Sequence, residues 1–366
     1  MRRAQLHWLV ATQEDPVNNR LIRSTLLVFL ALIETTTLPA IAAKPVQKTE
    51  GVPRFGNVFV IIGENTEITQ INEQNTPYIA TELAPRAAWL NHYYAVTHFS
   101  LANYIAMTSG QYTACHQGDY GPEDCHQNID NLFSQLSASR ISWTSWMESM
   151  PEPCAIADAG ASRTLNSYDA KHNPAVYYDN IEGPDGVWSA TSTSDLCKAQ
   201  VVPAGTTGPN DMSAFDTALA AGRTARFNLI IPNECENGHD TCPPNPPSAT
   251  GQFDEFLRRE VPKILASPAF GTNGVLIVTY DEGTSTAGGG GANGSTPCNA
   301  WVDCPNFFHG GGNVPFLVIS NLARVGVFDT YVYDHYSLLR TLENGFGIRQ
   351  HLGAADSAYP IADIWK

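Results

Sequence analysis

Val275-Leu276-Ile277-Val278-Thr279-Tyr280, followed at once by Asp281-Glu282-Gly283, is the clearest strand signal in the chain. An unbroken apolar run of this length, without polar alternation, reads as a strand buried on both faces, as in a parallel sheet covered by helices. Asn57-Val58-Phe59-Val60-Ile61-Ile62 has the same character and ends in Gly63-Glu64-Asn65-Thr66. Phe227-Asn228-Leu229-Ile230-Ile231 and Val314-Pro315-Phe316-Leu317-Val318-Ile319-Ser320 are further strands, and Ile141-Ser142-Trp143-Thr144-Ser145-Trp146 alternates as one. Between them lie helical patterns: residues 252–266 with Phe253, Phe256, Leu257, Val261, Ile264 and Leu265 on one face, a segment around Leu132, Phe133 and Leu136, and a helix opened by Asp334-His335-Tyr336-Ser337. Residues 77–90 read as a helix interrupted by Pro85. Strands separated by helices predict one α/β domain with a mostly parallel sheet, and no internal repeat is visible.

In such folds, ligands gather beyond the C-terminal ends of strands. Two strands end in acidic or amide pairs, Glu64-Asn65 and Asp281-Glu282. Thr97-His98-Phe99-Ser100-Leu101-Ala102-Asn103-Tyr104 supplies a third part. Small and apolar residues run from Ser100 to Gly110, which is a helix stop, so Ser100 falls at a helix N-terminus where free N–H groups and the dipole favour an anion. Taken alone, an ordinary N-cap serine explains Ser100 as well. Taken with the strand ends, Glu64, Asn65, Ser100, Asp281 and Glu282 offer oxygen ligands for one divalent metal, since neighbouring carboxylates repel without a cation. A metal-bound Ser100 hydroxyl would be an activated nucleophile. Lys171 and Asn103 would stabilise the remaining charge, and His172, His239 or His335 would serve as proton donor or base, with His335 preferred because Asp334 lies beside it. His98 stands two residues before Ser100 as a further candidate.

The chain has 366 residues and a net charge of −15, with no Lys/Arg cluster, which argues against a nucleic-acid-binding surface. Eight cysteines point to disulfides and an oxidising compartment, and proximity suggests pairs 115–125, 154–197, 235–242 and 298–304. Arg20 and Arg23 precede the apolar run Leu26–Ile33, and Ala40-Ile41-Ala42 offers a small-x-small cleavage pattern. Residues 1–43 therefore read as a signal peptide carrying extra N-terminal residues, 44–54 as a lead-in, and 55–366 as a single domain, secreted or periplasmic, with no membrane span after processing. The Gly-rich run 288–294 lacks the Lys-Ser/Thr of a phosphate-binding loop.

These segments, together with Lys171-His172-Asn173-Pro174, Ile231-Pro232-Asn233 through His239-Asp240, Asp334-His335-Tyr336-Ser337-Leu338-Leu339 and the closing Ile361-Ala362-Asp363-Ile364-Trp365, resemble in order the phosphoesterase family of the alkaline phosphatase superfamily. Secreted acid phosphatases and non-haemolytic phospholipases C belong to it. The resemblance implies an alkaline-phosphatase-like sheet flanked by helices on both faces, Ser100 as nucleophile forming a phosphoserine, and Glu64, Asn65, Asp281 and Glu282 as metal ligands. It implies an acid phosphatase acting on phosphomonoesters, phosphoinositides and other lipid-derived esters included. Two departures stand out. Asn237-Gly238 occupy the place of a frequent Asp, which weakens a second metal site there, and Ala102 replaces a frequent Pro. Two-zinc relatives use Asp and Asp-His sets, whereas the donors here are all oxygens, so Ca, Mg or Mn is expected over Zn.

A phospholipase C or other phosphodiesterase on the same fold is the near alternative, and a secreted binding protein without activity the distant one. A sulfatase would need an Arg after the nucleophile motif, absent from Ser100-Leu101-Ala102-Asn103. A serine esterase would need G-x-S-x-G, which Gly283-Thr284-Ser285-Thr286-Ala287 does not supply.

Overall fold

A computed structural model describes residues 47–164, 166–183, 194–208, 210–243, 248–284 and 310–366. The expected signal peptide, the Gly-rich run and the 298–304 cysteine pair lie outside these residues. Eight strands form the sheet, numbered here in chain order: β1 Val58–Gly63, β2 Ala88–Leu90, β3 Trp143–Met147, β4 Val201–Pro203, β5 Phe227–Ile231, β6 Val275–Tyr280, β7 Phe316–Ile319 and β8 Gly326–Phe328. Their spatial order is β8-β2-β7-β6-β1-β5-β3-β4. Only β7 runs against the rest, pairing antiparallel with both β6 and β2. The five strands read from the sequence, four apolar runs and the alternating one, occupy the centre of the sheet and are almost entirely buried.

The differences from expectation fall on short elements. Residues 77–90 are not one helix. A single wide turn, Ile79–Leu83, passes into a tight 3-10 turn at Ala84–Arg86, and the chain then enters β2. Pro85 has no N–H to continue a helix. Strands β2, β4 and β8 have only three residues each, too few for a periodic signal.

Four helices bear on the site: α1 Ser100–Ser109, α2 Leu132–Ala138, α3 Ala249–Ala266 and α4 His335–Phe346. Asn131, Ser248 and Asp334 cap α2, α3 and α4 with side-chain oxygens that accept backbone N–H bonds. Helix α1 ends as expected at Gly110, which has φ +70°. A Cβ there would lie 2.2 Å from the Leu352 carbonyl oxygen, so only glycine fits. Three of the expected disulfides are present: Cys115–Cys125, Cys154–Cys197 and Cys235–Cys242.

Candidate active site

The site begins with a register. Strands β1 and β6 are parallel neighbours, with Gly63 opposite Tyr280. Both strands therefore end at the same level, and the next residues, Glu64 and Asp281, emerge side by side although 217 positions apart in sequence (281 − 64). Gly63 makes this packing possible: a Cβ would come within 2.7 Å of the Phe253 ring and 2.8 Å of the Tyr280 ring. The Asp281 N–H donates to the Gly63 carbonyl at 3.0 Å, and the Asn65 N–H donates to Asp281 Oδ1 at 3.2 Å.

Helix α1 brings its first residue to these strand ends. Ser100 is not the N-cap; Phe99 holds that position and makes no side-chain cap. The Ser100 hydroxyl instead donates to Glu64 Oε2 at 2.9 Å, and one turn later the Tyr104 hydroxyl donates to Glu64 Oε1 at 2.5 Å. His172 Nε2 is 3.3 Å from the same Oε1, while its Nδ1 is 2.8 Å from Glu234 Oε1. Burial alone would raise the Glu64 pKa, but the His172 charge outweighs it and holds Glu64 at about 2. Burial likewise pulls His172 down, yet Glu234 and Glu64 together lift it well above the ordinary range, so the imidazolium is held between two carboxylates.

The remaining acidic pair is under strain of a different kind. Burial, followed by the charges of Glu64 and Glu282, drives the Asp281 pKa well upward. Burial also raises Glu282, against the pull of His98, whose Nδ1 lies 2.7 Å from Glu282 Oε2. Asp281 Oδ2 is buried and has no hydrogen-bond partner among the described residues. Glu64, Asp281 and Glu282 are buried carboxylates whose charges bear on one another, and with one oxygen orphaned they would be relieved by a cation. Glu64, Asn65, Ser100, Asp281 and Glu282 carry oxygen donors of the type a hard divalent ion takes, whereas among the described residues the His and carboxylate ligand atoms that converge tightly are those of Glu234, His239 and Asp240.

Several expected roles change in the structure. Asn103 is fully committed to its own loop: its carboxamide oxygen accepts from the N–H groups of Val96 (3.0 Å) and Thr97 (3.1 Å), and its amide donates to the carbonyls of Thr97 (2.8 Å) and Phe99 (3.3 Å). It braces the turn before Ser100 and has no proton to spare for an anion. The helix N-terminus expected to be open already holds a carboxylate, because the Leu101 N–H donates to Asp119 Oδ1 at 3.1 Å. His335, the preferred proton donor, is buried with both ring nitrogens engaged: Nε2 lies 2.6 Å from the Asp281 carbonyl oxygen and Nδ1 2.9 Å from the Tyr93 hydroxyl. Burial lowers its pKa to about 4. Asp334 does not assist it; its carboxylate accepts the Ser337 N–H at 2.8 Å as the α4 cap.

Lys171 and His239 stand at the more open side. Burial lowers the Lys171 pKa, but Asp119 and Asp169 outweigh it and keep the ammonium charged. Its Nζ is 3.4 Å from Asp119 Oδ2 and 3.5 Å from His239 Nε2. His239 Nδ1 lies 3.1 Å from Asp240 Oδ1. Glu234, His239 and Asp240 also lie close enough to share a cation. Asn237, which replaces the expected acid, locks this turn by accepting the His239 N–H at 2.7 Å. Sequence reading missed Tyr104, Asp119 and Glu234. Tyr104 carried a signal, being four residues after Ser100 and hence on the same helix face.

Comparison with known proteins places the chain in a family. A family model described as the phosphoesterase family matches residues 56–349. The chain belongs to the phosphoesterase family. This phosphoesterase is therefore a phosphoric-ester hydrolase, and its matched region includes every candidate residue named above. Among curated proteins, the phosphoesterase is 23% identical to a probable acid phosphatase of Kluyveromyces lactis, covering 97% of this chain and 73% of that one. It is 25% identical to a phosphatidylinositol-3-phosphatase of Mycobacterium tuberculosis, covering 86% of this chain and 84% of that one. Among solved structures, a protein of the alkaline phosphatase superfamily from Vibrio parahaemolyticus aligns with a TM-score of 0.48 at 14% identity, covering 83% of this chain and 69% of that one.

Proposed function

We propose that this phosphoesterase is a secreted, metal-dependent acid phosphatase that hydrolyses phosphomonoesters through a phosphoserine on Ser100. The observation that carries the reading is the Ser100 hydroxyl aimed at Glu64 Oε2 within the buried Glu64, Asp281 and Glu282 cluster. The names of the relatives point the same way, and three disulfides together with the apolar segment near the N-terminus support export. The 1–43, 44–54 and 55–366 division is retained as part of the proposal.

Glu64, Asn65, Ser100, Asp281 and Glu282 would hold one divalent ion, Ca, Mg or Mn over Zn. When bound, such an ion supplies positive charge that lowers the pKa of a coordinated hydroxyl and screens phosphoryl oxygens. In the first step Ser100 Oγ, positioned by its hydrogen bond to Glu64 Oε2, attacks phosphorus in line as the ester P–O bond breaks, and its proton is released to water. Lys171 faces the displaced negative charge. As Lys171 turns from His239 Nε2 to that charge, His239 gives a proton to the departing alkoxide, with Asp240 orienting its Nδ1. In the second step water attacks phosphorus, His239 takes the water proton, the Oγ–P bond breaks and Ser100 regains its hydrogen. His335 and Asn103 take no part in proton transfer; they hold Asp281 and the 96–99 turn.

A hydrolysis panel tests the reading: a chromogenic monoester, its diester analogue and phosphoinositides, each with and without chelator. The proposal expects monoester turnover that chelator abolishes and that metal restores. Diester turnover with an inert monoester would favour the phosphodiesterase or phospholipase C alternative. No turnover of any ester by metal-loaded protein would favour a binding role.

A further inference from the structure

Two of the four exposed aromatic residues among those described, Phe99 and Tyr120, adjoin residues of the candidate site, Ser100 and Asp119, while Tyr331 and Tyr359 line a cavity with Glu50 and Arg340. Phe99 is 37% exposed although its neighbour Ser100 is only 2% exposed. It adopts φ 72° and ψ 125°, a region that non-glycine residues seldom enter and that costs on the order of 1–3 kcal/mol. Nothing in helix geometry demands this, since many residue types cap helices in extended conformations. The four Asn103 hydrogen bonds to the backbone of residues 96, 97 and 99 hold in place the turn that carries Phe99.

Tyr120 is 43% exposed. It follows Asp119, whose carboxylate accepts the Leu101 N–H two residues beyond Phe99. The Tyr177 hydroxyl pins the Tyr120 carbonyl at 2.8 Å, and the Cys115–Cys125 disulfide closes the loop. The Tyr120 ring lies across Gly118, where a Cβ would meet it at 3.1 Å. Both rings are therefore exposed on rigid supports. One exposed ring adjoins the candidate nucleophile and the other adjoins the carboxylate bonded to the same helix, so both offer apolar contact next to the site.

Resting on the function proposed above, we infer that Phe99 and Tyr120 form an aromatic rim that receives the leaving alcohol of the substrate, so that the enzyme selects phosphomonoesters whose alcohol carries an aryl or aliphatic face over those of small polyols. The phosphoryl group is held by charged and polar groups inside, and the rim contacts only the part that departs. Selection then appears in the ratio of kcat/KM between apolar and polar esters.

The test compares 4-nitrophenyl phosphate, dihexanoyl phosphatidic acid and glycerol 2-phosphate with the metal-loaded full chain, its Phe99→Ala variant and its Tyr120→Ala variant. For each variant, the apolar-to-polar kcat/KM ratio is expected to fall about tenfold, the scale for removing an aromatic contact that is partly buried by ligand. A larger fall for the aryl ester identifies an aryl alcohol as the preferred partner, and a larger fall for the phosphatidic acid identifies a lipid. Competitive inhibition by inorganic phosphate, which has no leaving group, should keep its constant. The inference is overturned if all three esters lose activity by one factor, or if both variants keep the wild-type ratio. If Phe99→Ala does not fold, Tyr120→Ala decides alone. Failure of the wild-type chain to cleave any monoester would overturn the proposed function itself, and it is read before any variant is made.

Discussion

His335 Nε2 lies 2.6 Å from the backbone carbonyl oxygen of Asp281, and this contact makes the most sequence-suggestive histidine a structural one. To meet a carbonyl, Nε2 must carry the proton, which leaves Nδ1 to accept from the Tyr93 hydroxyl. A ring so placed is neutral, in keeping with its pKa near 4. It fixes the backbone from which the Asp281 carboxylate projects. We expect His335→Gln to lower kcat about tenfold while leaving the shape of the pH–rate profile intact. His239→Ala should instead slow esters of alkyl alcohols far more than 4-nitrophenyl phosphate, whose leaving group needs no proton. The dependence of kcat on the leaving group in the two variants checks this assignment; the same dependence in His335→Gln would reverse it.

Asn103 is expected to behave as a brace. Its replacement by Ala leaves four backbone groups unpaired around Phe99 and should destabilise the fold by about 2 kcal/mol or more. Activity should fall with it, in the range of about ten- to a hundredfold. A drop of about a thousandfold with an unchanged melting temperature would instead place the amide in contact with the reacting phosphoryl group.

Cation binding has a readout independent of turnover. Without a cation the charges of Glu64 and Glu282 bear on the buried Asp281. Addition of Mg, Ca or Mn at about a hundred times Kd should stabilise wild type by about 2.7 kcal/mol. Asp281→Asn removes one charge, so the metal-free variant should melt above metal-free wild type and gain little from added ion. Calorimetric melting with elemental analysis measures both effects. Equal shifts in wild type and variant would remove Asp281 from the ligand set.

Stability should lean toward acid for reasons outside the site. Glu343 is fully buried, accepts the Leu352 N–H at 2.9 Å, and has a pKa raised by burial to about 8. Burial raises Asp334 as well, to about 6. A raised acid keeps its proton in the folded chain while the unfolded chain releases it. Its contribution is complete below the unfolded pKa, about 4.5 for Glu343, and is lost as pH climbs toward 8, at up to about 1.4 kcal/mol per pH unit. Glu50 acts in the opposite sense: its hydrogen bonds to Arg340 lower it to about 2, so its contribution is present above pH 4.5 and is lost as pH falls toward 2. Melting temperature should therefore peak near pH 5 and decline toward pH 8, and Glu343→Gln should reduce that decline. A flat profile from pH 5 to 8 in wild type would contradict this reading of Glu343.

The parts of this molecule that were legible in the sequence are those set by local chemistry. β1 and β6 announce themselves as unbroken apolar runs, and their C-terminal ends carry Glu64 and Asp281 by simple succession. Helix α1 is bounded by Ser100 and Gly110, and each of three disulfides joins cysteines that are consecutive along the chain. What could not be read depends on which groups meet in space. Asn103 and His335 look catalytic by type, and only their partners, the 96–99 backbone and the Asp281 carbonyl, show them to be supports. Asp119 lies in an irregular loop with no periodicity to report that it reaches Leu101. The positive φ of Phe99 has no sequence signature, because a bulky aromatic is among the residues least expected there.

The central claim is that Ser100 Oγ forms the bond to phosphorus. Mass spectrometry of metal-loaded enzyme, quenched in acid during steady turnover of a chromogenic monoester, tests it most directly. The account predicts phosphate on the peptide containing Ser100, absent from Ser100→Ala, with that variant losing nearly all activity while keeping its melting temperature. Phosphate on another residue, or a Ser100→Ala enzyme that turns over at the wild-type rate, would contradict it.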